Sequence, residues 1–266
     1  ASNNTAVGKN ALGANTTGAD NTAIGVDALL VNTTGEENVA IGKQALDANT
    51  DGDRNIAIGK YSLSGNTTGI GNVAVGDQAL YANTTASANT AVGRSALREN
   101  TTGTYNVAVG QYALDANTTA NENTAIGYEA LTANTTGAHN TAVGADCLKA
   151  VTTGSYNTAM GRDAGQSITT GSNNICIGAN SNDAGNTTYV VAMGDFSASA
   201  NQSNSITAVG YYAMRSNTTG TQNVAVGYYS MDQNTTGIRN TALGFESLKT
   251  NTTGNYNTAI GNYTLR

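Results

Sequence analysis

The sequence predicts an all-β chain: a parallel β-solenoid, or β-roll, of about sixteen coils with seventeen residues in each. Three observations predict it. A glycine returns at Gly8, Gly25, Gly42 and onward to Gly261, seventeen residues apart except for two sixteen-residue steps, Gly178 to Gly194 and Gly194 to Gly210. The residue before that glycine is apolar in every unit, and eight units carry an Asn-Thr-Thr-Gly turn, as at Asn32 and Asn66. A short period held without insertions marks a stacked array, in which each unit completes its core only against its neighbours.

The segment that ends at the glycine comes first. Val7, Ile24, Ile41 and Ile58 precede the glycine, an alanine precedes each of them, and Thr or a β-branched aliphatic (Thr22, Val39, Ile56) precedes the alanine. Cys176 is the only departure from alanine in that column. A short β-branched run of this kind alternates faces as a strand does. Four residues past the glycine lies a leucine column (Leu12, Leu29, Leu46, Leu63 and onward to Leu148), which resumes as Met214, Met231, Leu248 and Leu265. A second short strand carrying this leucine ladder opposite the Val/Ile ladder is expected. Gly and Asn tolerate positive φ, and Asn and Thr side chains cap turn backbone, so the two corners fall at the glycine and at Asn-Thr-Thr-Gly.

Two bland alternatives lose to this pattern. A short αα repeat would carry 32 glycines and many β-branched residues at a cost of about 1 kcal/mol per glycine. Disorder is favoured by low complexity but not by strict aliphatic columns. Residues 179–205 form one irregular segment, where Asn182 and Ala198 interrupt the leucine column and the turn shifts to Gly185-Asn186-Thr187-Thr188. A bend, a widened turn, a specialised contact surface or a decayed repeat would each produce it. The whole of 1–266 reads as a single repeat solenoid, and its ends, a turn at Ala1 and an unfinished coil at Arg266, suggest a fragment or subunit of a longer fibre.

Composition narrows the function. Charged residues are only 11% of the chain and the net charge is −6, without a basic stripe, so nucleic acid is not an expected partner. No apolar run approaches the roughly 20 residues of a membrane-spanning helix, so no membrane insertion is expected in this segment. Cys147 and Cys176 lie in different columns two units apart, about 10 Å at a strand spacing of about 4.8 Å, too far for a bridge. Two buried free thiols are expected.

No enzymatic constellation, cofactor site or metal cluster is visible. The single histidine, His139, stands in a turn column without partners, and Asp27, Asp115, Glu129, Asp146 and Asp163 recur beside the glycine without forming a close pair. Asp51-Gly52-Asp53 is too short a set for a calcium loop.

The strand motif, as in Asn38-Val39-Ala40-Ile41-Gly42 and Asn106-Val107-Ala108-Val109-Gly110, resembles the Asn-Ser-Val-Ala-Ile-Gly repeat of YadA-type trimeric autotransporter adhesin heads. Similar units occur in phage tail-fibre-like proteins. The resemblance covers all sixteen units. It implies a left-handed roll packed as a homotrimer, or joined end to end as a fibre, that projects from a cell surface or virion into the extracellular space and adheres to a glycan or protein receptor. The seventeen-residue period is longer than that family's, and no neck, stalk or anchor is present in this segment.

Three sets of surface residues follow. If the Val/Ile side chain fills its own coil, the alanine beside it faces out, and a uniform alanine wall at Ala6, Ala23, Ala40, Ala57, Ala74, Ala91, Ala108, Ala125, Ala142 and Ala159 is an expected inter-chain face. Sequons at Asn15, Asn32, Asn66, Asn83, Asn100, Asn117, Asn134, Asn217, Asn234 and Asn251 either carry glycans or, the better fit at this spacing, form an internal hydrogen-bonded ladder. Tyr211, Tyr212, Tyr228, Tyr229 and Phe245 fall just after successive glycines as an aromatic patch, either a glycan contact or a self-stacked ladder. Ice binding through threonine columns (Thr16, Thr33, Thr50, Thr67) is the rival function.

Overall fold

The computed structural model describes all residues, Ala1–Arg266, and contains no helix. It is a β-solenoid of sixteen parallel strands, three residues each, one per coil. The chain falls into two compact units, Ala1–Thr136 and Gly137–Arg266. The first holds β1 (Thr5–Val7), β2 (Thr22–Ile24), β3 (Val39–Ile41), β4 (Ile56–Ile58), β5 (Val73–Val75), β6 (Thr90–Val92), β7 (Val107–Val109) and β8 (Thr124–Ile126). The second holds β9 (Thr141–Val143), β10 (Thr158–Met160), β11 (Ile175–Ile177), β12 (Val191–Met193), β13 (Thr207–Val209), β14 (Val224–Val226), β15 (Thr241–Leu243) and β16 (Thr258–Ile260).

Within each unit every strand pairs in parallel with the next, alanine opposite alanine as in Ala40↔Ala57 and Ala208↔Ala225, except that Cys176 of β11 stands opposite Ala159 and Ala192. The backbone bonds run both ways along the stack. Thr22 N–H donates forward to Asn38 O at 2.8 Å, and Gly25 N–H donates back to Val7 O at 2.8 Å.

The strand's inward face corrects the sequence reading. The central alanines Ala23, Ala40, Ala57, Ala74, Ala91, Ala108, Ala125, Ala142 and Ala159 are 0% exposed inside their own coils, whereas Ile24, Ile58 and Ile126 before the glycine are 38%, 37% and 40% exposed. Ala6, in the first coil, is exposed. Coil width explains the choice. A three-residue strand sends only its middle side chain inward, and a seventeen-residue coil already filled by a leucine from the opposite side leaves room for a methyl group there. The alanine column is therefore not an inter-chain face.

From Leu29 to Leu148 the leucine column is fully buried as expected, but no second strand carries it. Leu29, Leu46 and Leu63 stand in a turn with φ of 50°, 53° and 51°. A left-handed conformation costs an L-residue about 1–2 kcal/mol, and full burial of a leucine returns about 1.5–3 kcal/mol. Burial thus holds the column in a conformation that leucine avoids elsewhere. The repeat glycine has a stricter reason: Gly42 has φ +135°, and a Cβ there would lie 2.5 Å from the carbonyl oxygen of Gly59 in the next coil.

Two asparagine ladders complete the interior. At the strand entrance, Asn38 N–H donates to Asn21 Oδ1 at 2.9 Å, and Asn55 N–H to Asn38 Oδ1 at 2.9 Å. Across the coil, Asn49 Nδ2 donates to Asn32 Oδ1 at 2.8 Å, and Asn66 Nδ2 to Asn49 Oδ1 at 2.9 Å. Buried amides are tolerated because both ends of each are bonded.

The irregular segment keeps the register: Ile175 pairs with Val191, and Val191 with Thr207. The missing residue comes from the turn. In a regular coil Thr33 O accepts the N–H groups of Thr16, Thr17 and Gly18 at 3.0, 3.1 and 3.4 Å. In the short coil Asn186 Oδ1 takes that place and accepts from Thr169, Thr170 and Gly171 at 3.1, 2.9 and 2.7 Å. Where leucine is lost at Gly165 and Ala198, buried Ile168, Val190 and Ile206 replace ladder asparagines, and Gly165 sits against Leu148 and Ile168.

Candidate functional site: the outer surfaces

The outer sheet face carries an apolar column before the glycine along both units, beside a column that is threonine in nine of sixteen coils. Its two columns are the residues flanking the central alanine, with Ile56 at 36%, Ile175 at 39%, Met160 at 45% and Leu243 at 47% exposure. Eight strands about 4.8 Å apart, each about 10 Å across, give each unit a flat face of ~380 Å², in the range of the largest patch on a typical monomer. Where Val39, Ile56 and Val73 replace threonine in the outer column, β3, β4 and β5 form its most apolar stretch.

The sequon asparagines lie on the opposite side of the coil wall. Asn32, Asn66, Asn83, Asn100, Asn117, Asn134, Asn217 and Asn234 are 0% exposed. Their amides are bonded within the coil: Asn83 Nδ2, for example, reaches Asn66 Oδ1 at 2.9 Å and Ala86 O at 3.0 Å. Asn15 and Asn251 are half-buried and donate to Gly18 O and Gly254 O. These asparagines are interior hydrogen-bonding groups of the folded chain and not sites for a glycan.

The first threonine of each turn is likewise committed lengthwise, as Thr33 Oγ1 donates to Thr50 O at 3.0 Å and Thr67 Oγ1 to Thr84 O at 3.1 Å. The second (Thr34, Thr68, Thr85, Thr102) is exposed.

Tyr211, Tyr212, Tyr228, Tyr229 and Phe245 do come together. Tyr211 stacks on Tyr228 at 5.4 Å and Tyr228 on Phe245 at 5.2 Å, while Tyr212 meets Tyr229 edge-on at 5.0 Å. Arg215 and Lys249 lie over Tyr212 and Tyr229, at 4.5 and 4.7 Å. These contacts occupy part of the ring surfaces, while Tyr211 and Tyr228 remain 38% and 44% exposed. Its hydrogen bond to Tyr212, with burial second, pushes the Tyr211 hydroxyl up to about 12. Phe196 and Tyr263 extend the ladder at both ends, at 5.4 Å from Tyr212 and 5.2 Å from Phe245. Both occupy the column of Tyr212 two residues past the glycine, the signal that places them in the set.

Arg215 Nε pairs with Asp232 Oδ1 at 3.0 Å and Arg98 Nε with Asp115 Oδ1 at 3.2 Å. Burial raises both carboxyls and the neighbouring arginines pull them back. Cys147 and Cys176 are buried free thiols, each pushed up to about 12 chiefly by burial. His139 stacks on Tyr156 at 4.7 Å. No three His, Cys, Asp or Glu side chains gather as a metal-binding group. No helix is long and apolar enough to cross a membrane. Comparisons with family models, with curated proteins and with solved structures gave no match.

Proposed function

We propose that this chain is a non-enzymatic structural and adhesive fibre segment that self-associates through its outer sheet face and works outside the cell, on a cell surface or virion. The observation that carries this reading is the column before the glycine. It is apolar in all sixteen units, yet it takes no part in the coil's own core. A chain that needed only to fold could place threonine or lysine there at no cost to its interior. Burial of such a column against copies of itself returns about 25 cal/mol per Å² of apolar surface, and a three-copy arrangement gives every face a partner, in keeping with the adhesin-like repeat. Ladders of interior amides stiffen each unit, and repeated weak contacts gain avidity from multivalency. Sedimentation of the intact chain beside a face variant tests the association: oligomer for the one and monomer for the other.

Ice binding is the second reading. It is supported by the exposed second threonine (Thr34, Thr68, Thr85, Thr102), repeated once per coil at about 4.8 Å. A thermal-hysteresis measurement decides it: a freezing-point depression beyond the colligative value supports ice binding, and none removes it.

A further inference from the structure

We propose that Tyr156, Asn173 and Tyr189, on successive coils of the second unit, form a surface slot for one neutral pyranose ring of a glycan. The inference rests on the adhesive half of the function above, not on self-association. The three residues stand in one column with φ of 59°, 59° and 60°, so the backbone presents each in the same way. Tyr156 and Tyr189 are 58% and 63% exposed.

His139, one coil before Tyr156, stacks on it at 4.7 Å with an interplanar angle of 12°. That separation matches the coil rise of about 4.8 Å, so the Tyr156 ring lies across the stacking direction. Its second face looks toward the next coil. There the column holds Asn173, an exposed side chain shorter than a ring, and then Tyr189, about 10 Å from Tyr156 at two coil rises. The column thus reads ring, ring, amide, ring.

A row of donors runs beside the slot. Ser155 Oγ, Ser172 Oγ and Thr188 Oγ1 accept the backbone N–H groups of Ala138, Ser155 and Ser172 at 3.0, 3.0 and 3.3 Å. A hydroxyl that accepts from backbone keeps its own proton to give outward. Aromatic faces with fixed hydroxyl and amide groups between them suit the apolar faces and equatorial hydroxyls of a sugar. The column pair from Ala138 and His139 through Asn204 and Ser205 contains no Asp, Glu, Lys or Arg, whereas the same columns in the first unit carry Glu36, Glu37, Asp53 and Arg54. The sugar is therefore neutral. A flat aromatic ligand would fill the slot but leave the donor row unused.

The test is titration of the full chain with mannohexaose, cellohexaose and chitohexaose, followed by saturation-transfer NMR, with N-acetyltyrosine amide as the aromatic control. At least one saccharide is expected to bind. Tyr156→Ala and Tyr189→Ala should each weaken it about tenfold, and Asn173→Tyr, which completes the ring stack, should abolish it with the far-UV spectrum unchanged. Binding should persist in a monomeric outer-face variant, which separates this site from self-association. No saccharide bound by the wild type, equal binding by Asn173→Tyr, or binding of the aromatic control alone would each overturn the proposal.

Discussion

Asn21 and Asn32 donate to the same oxygen: both Nδ2 groups reach Gly35 O, at 2.8 and 2.9 Å, one from each asparagine ladder. This convergence ties the strand entrance to the turn and repeats along the stack, as Asn38 and Asn49 meet at Gly52 O, 2.8 and 2.9 Å away. The wall between the two ladders is thereby closed by side chains where backbone pairing alone would leave an inward carbonyl unpaired.

Substitutions in the ladder should sort by what they leave unpaired. Asn72 accepts Asn89 N–H at 3.0 Å and donates to Ala86 O at 2.8 Å. Asn72→Asp places a carboxylate against that inward carbonyl and should cost about 3–5 kcal/mol. Asn72→Val, the exchange the chain itself makes at Val190, should cost about 1–3 kcal/mol for the groups left unpaired. Denaturant unfolding of the two variants gives the order; a milder Asp variant would contradict it.

Neighbouring residues of β4 should respond in opposite ways. Ala57 is 0% exposed and Ile58 is 37% exposed. Ala57→Leu overpacks a filled coil and should cost at least about 1–3 kcal/mol, while Ile58→Thr should shift the unfolding of the isolated chain by under about 0.5 kcal/mol. Thermal melts at low concentration, where association does not contribute, make the comparison.

This pair also marks where the sequence stops being legible. Period, strand position, leucine burial and turn corners can all be read from Gly25, Leu29 and Asn32, because each carries a conformational or packing demand of its own. Strand alternation says that Ala57 and Ile58 face opposite ways, but not which faces in. That depends on coil width, a property of the closed turn and not of any residue. The same closure puts leucine at positive φ and turns sequon asparagines inward. The Tyr156 slot emerges only once the ring plane against His139 is known.

Two buried hydroxyls offer a gain. Ser181 Oγ and Ser197 Oγ have no hydrogen-bond partner, in a column where Ser62 Oγ donates to Ala74 O at 2.9 Å and alanine is the usual residue. Ser181→Ala and Ser197→Ala should each stabilise the fold by about 1 kcal/mol, and Ser62→Ala should destabilise it by a similar amount. Midpoints of chemical unfolding for the three variants check the sign.

The thiols predict an alkaline slope. Cys147 and Cys176 rise from 9.0 to about 12 in the folded chain, so between those values the folded state holds protons that the unfolded state has lost. Stability therefore falls as pH rises through that window, by about 1.4 kcal/mol per pH unit for each thiol. The Cys147→Ala/Cys176→Ala double variant keeps the alanine normal to both columns and should be less pH-sensitive than the wild type by about 2.7 kcal/mol per unit above pH 9. Tyrosine titration is common to both proteins and cancels in the difference; identical slopes would rule the thiol linkage out.

The most direct measurement of the central claim is sedimentation-equilibrium mass for the wild-type chain and for Ile58→Glu/Val75→Glu. Ile58 is exposed and Val75 half-buried, on adjacent strands of the outer face, and neither belongs to the buried core. The wild type should sediment at about three times its 26.9 kDa chain mass, and the double variant as a monomer with an unchanged far-UV spectrum. A wild-type chain that is monomeric at micromolar concentration, or a variant that associates as the wild type does, would contradict self-association through the outer sheet face.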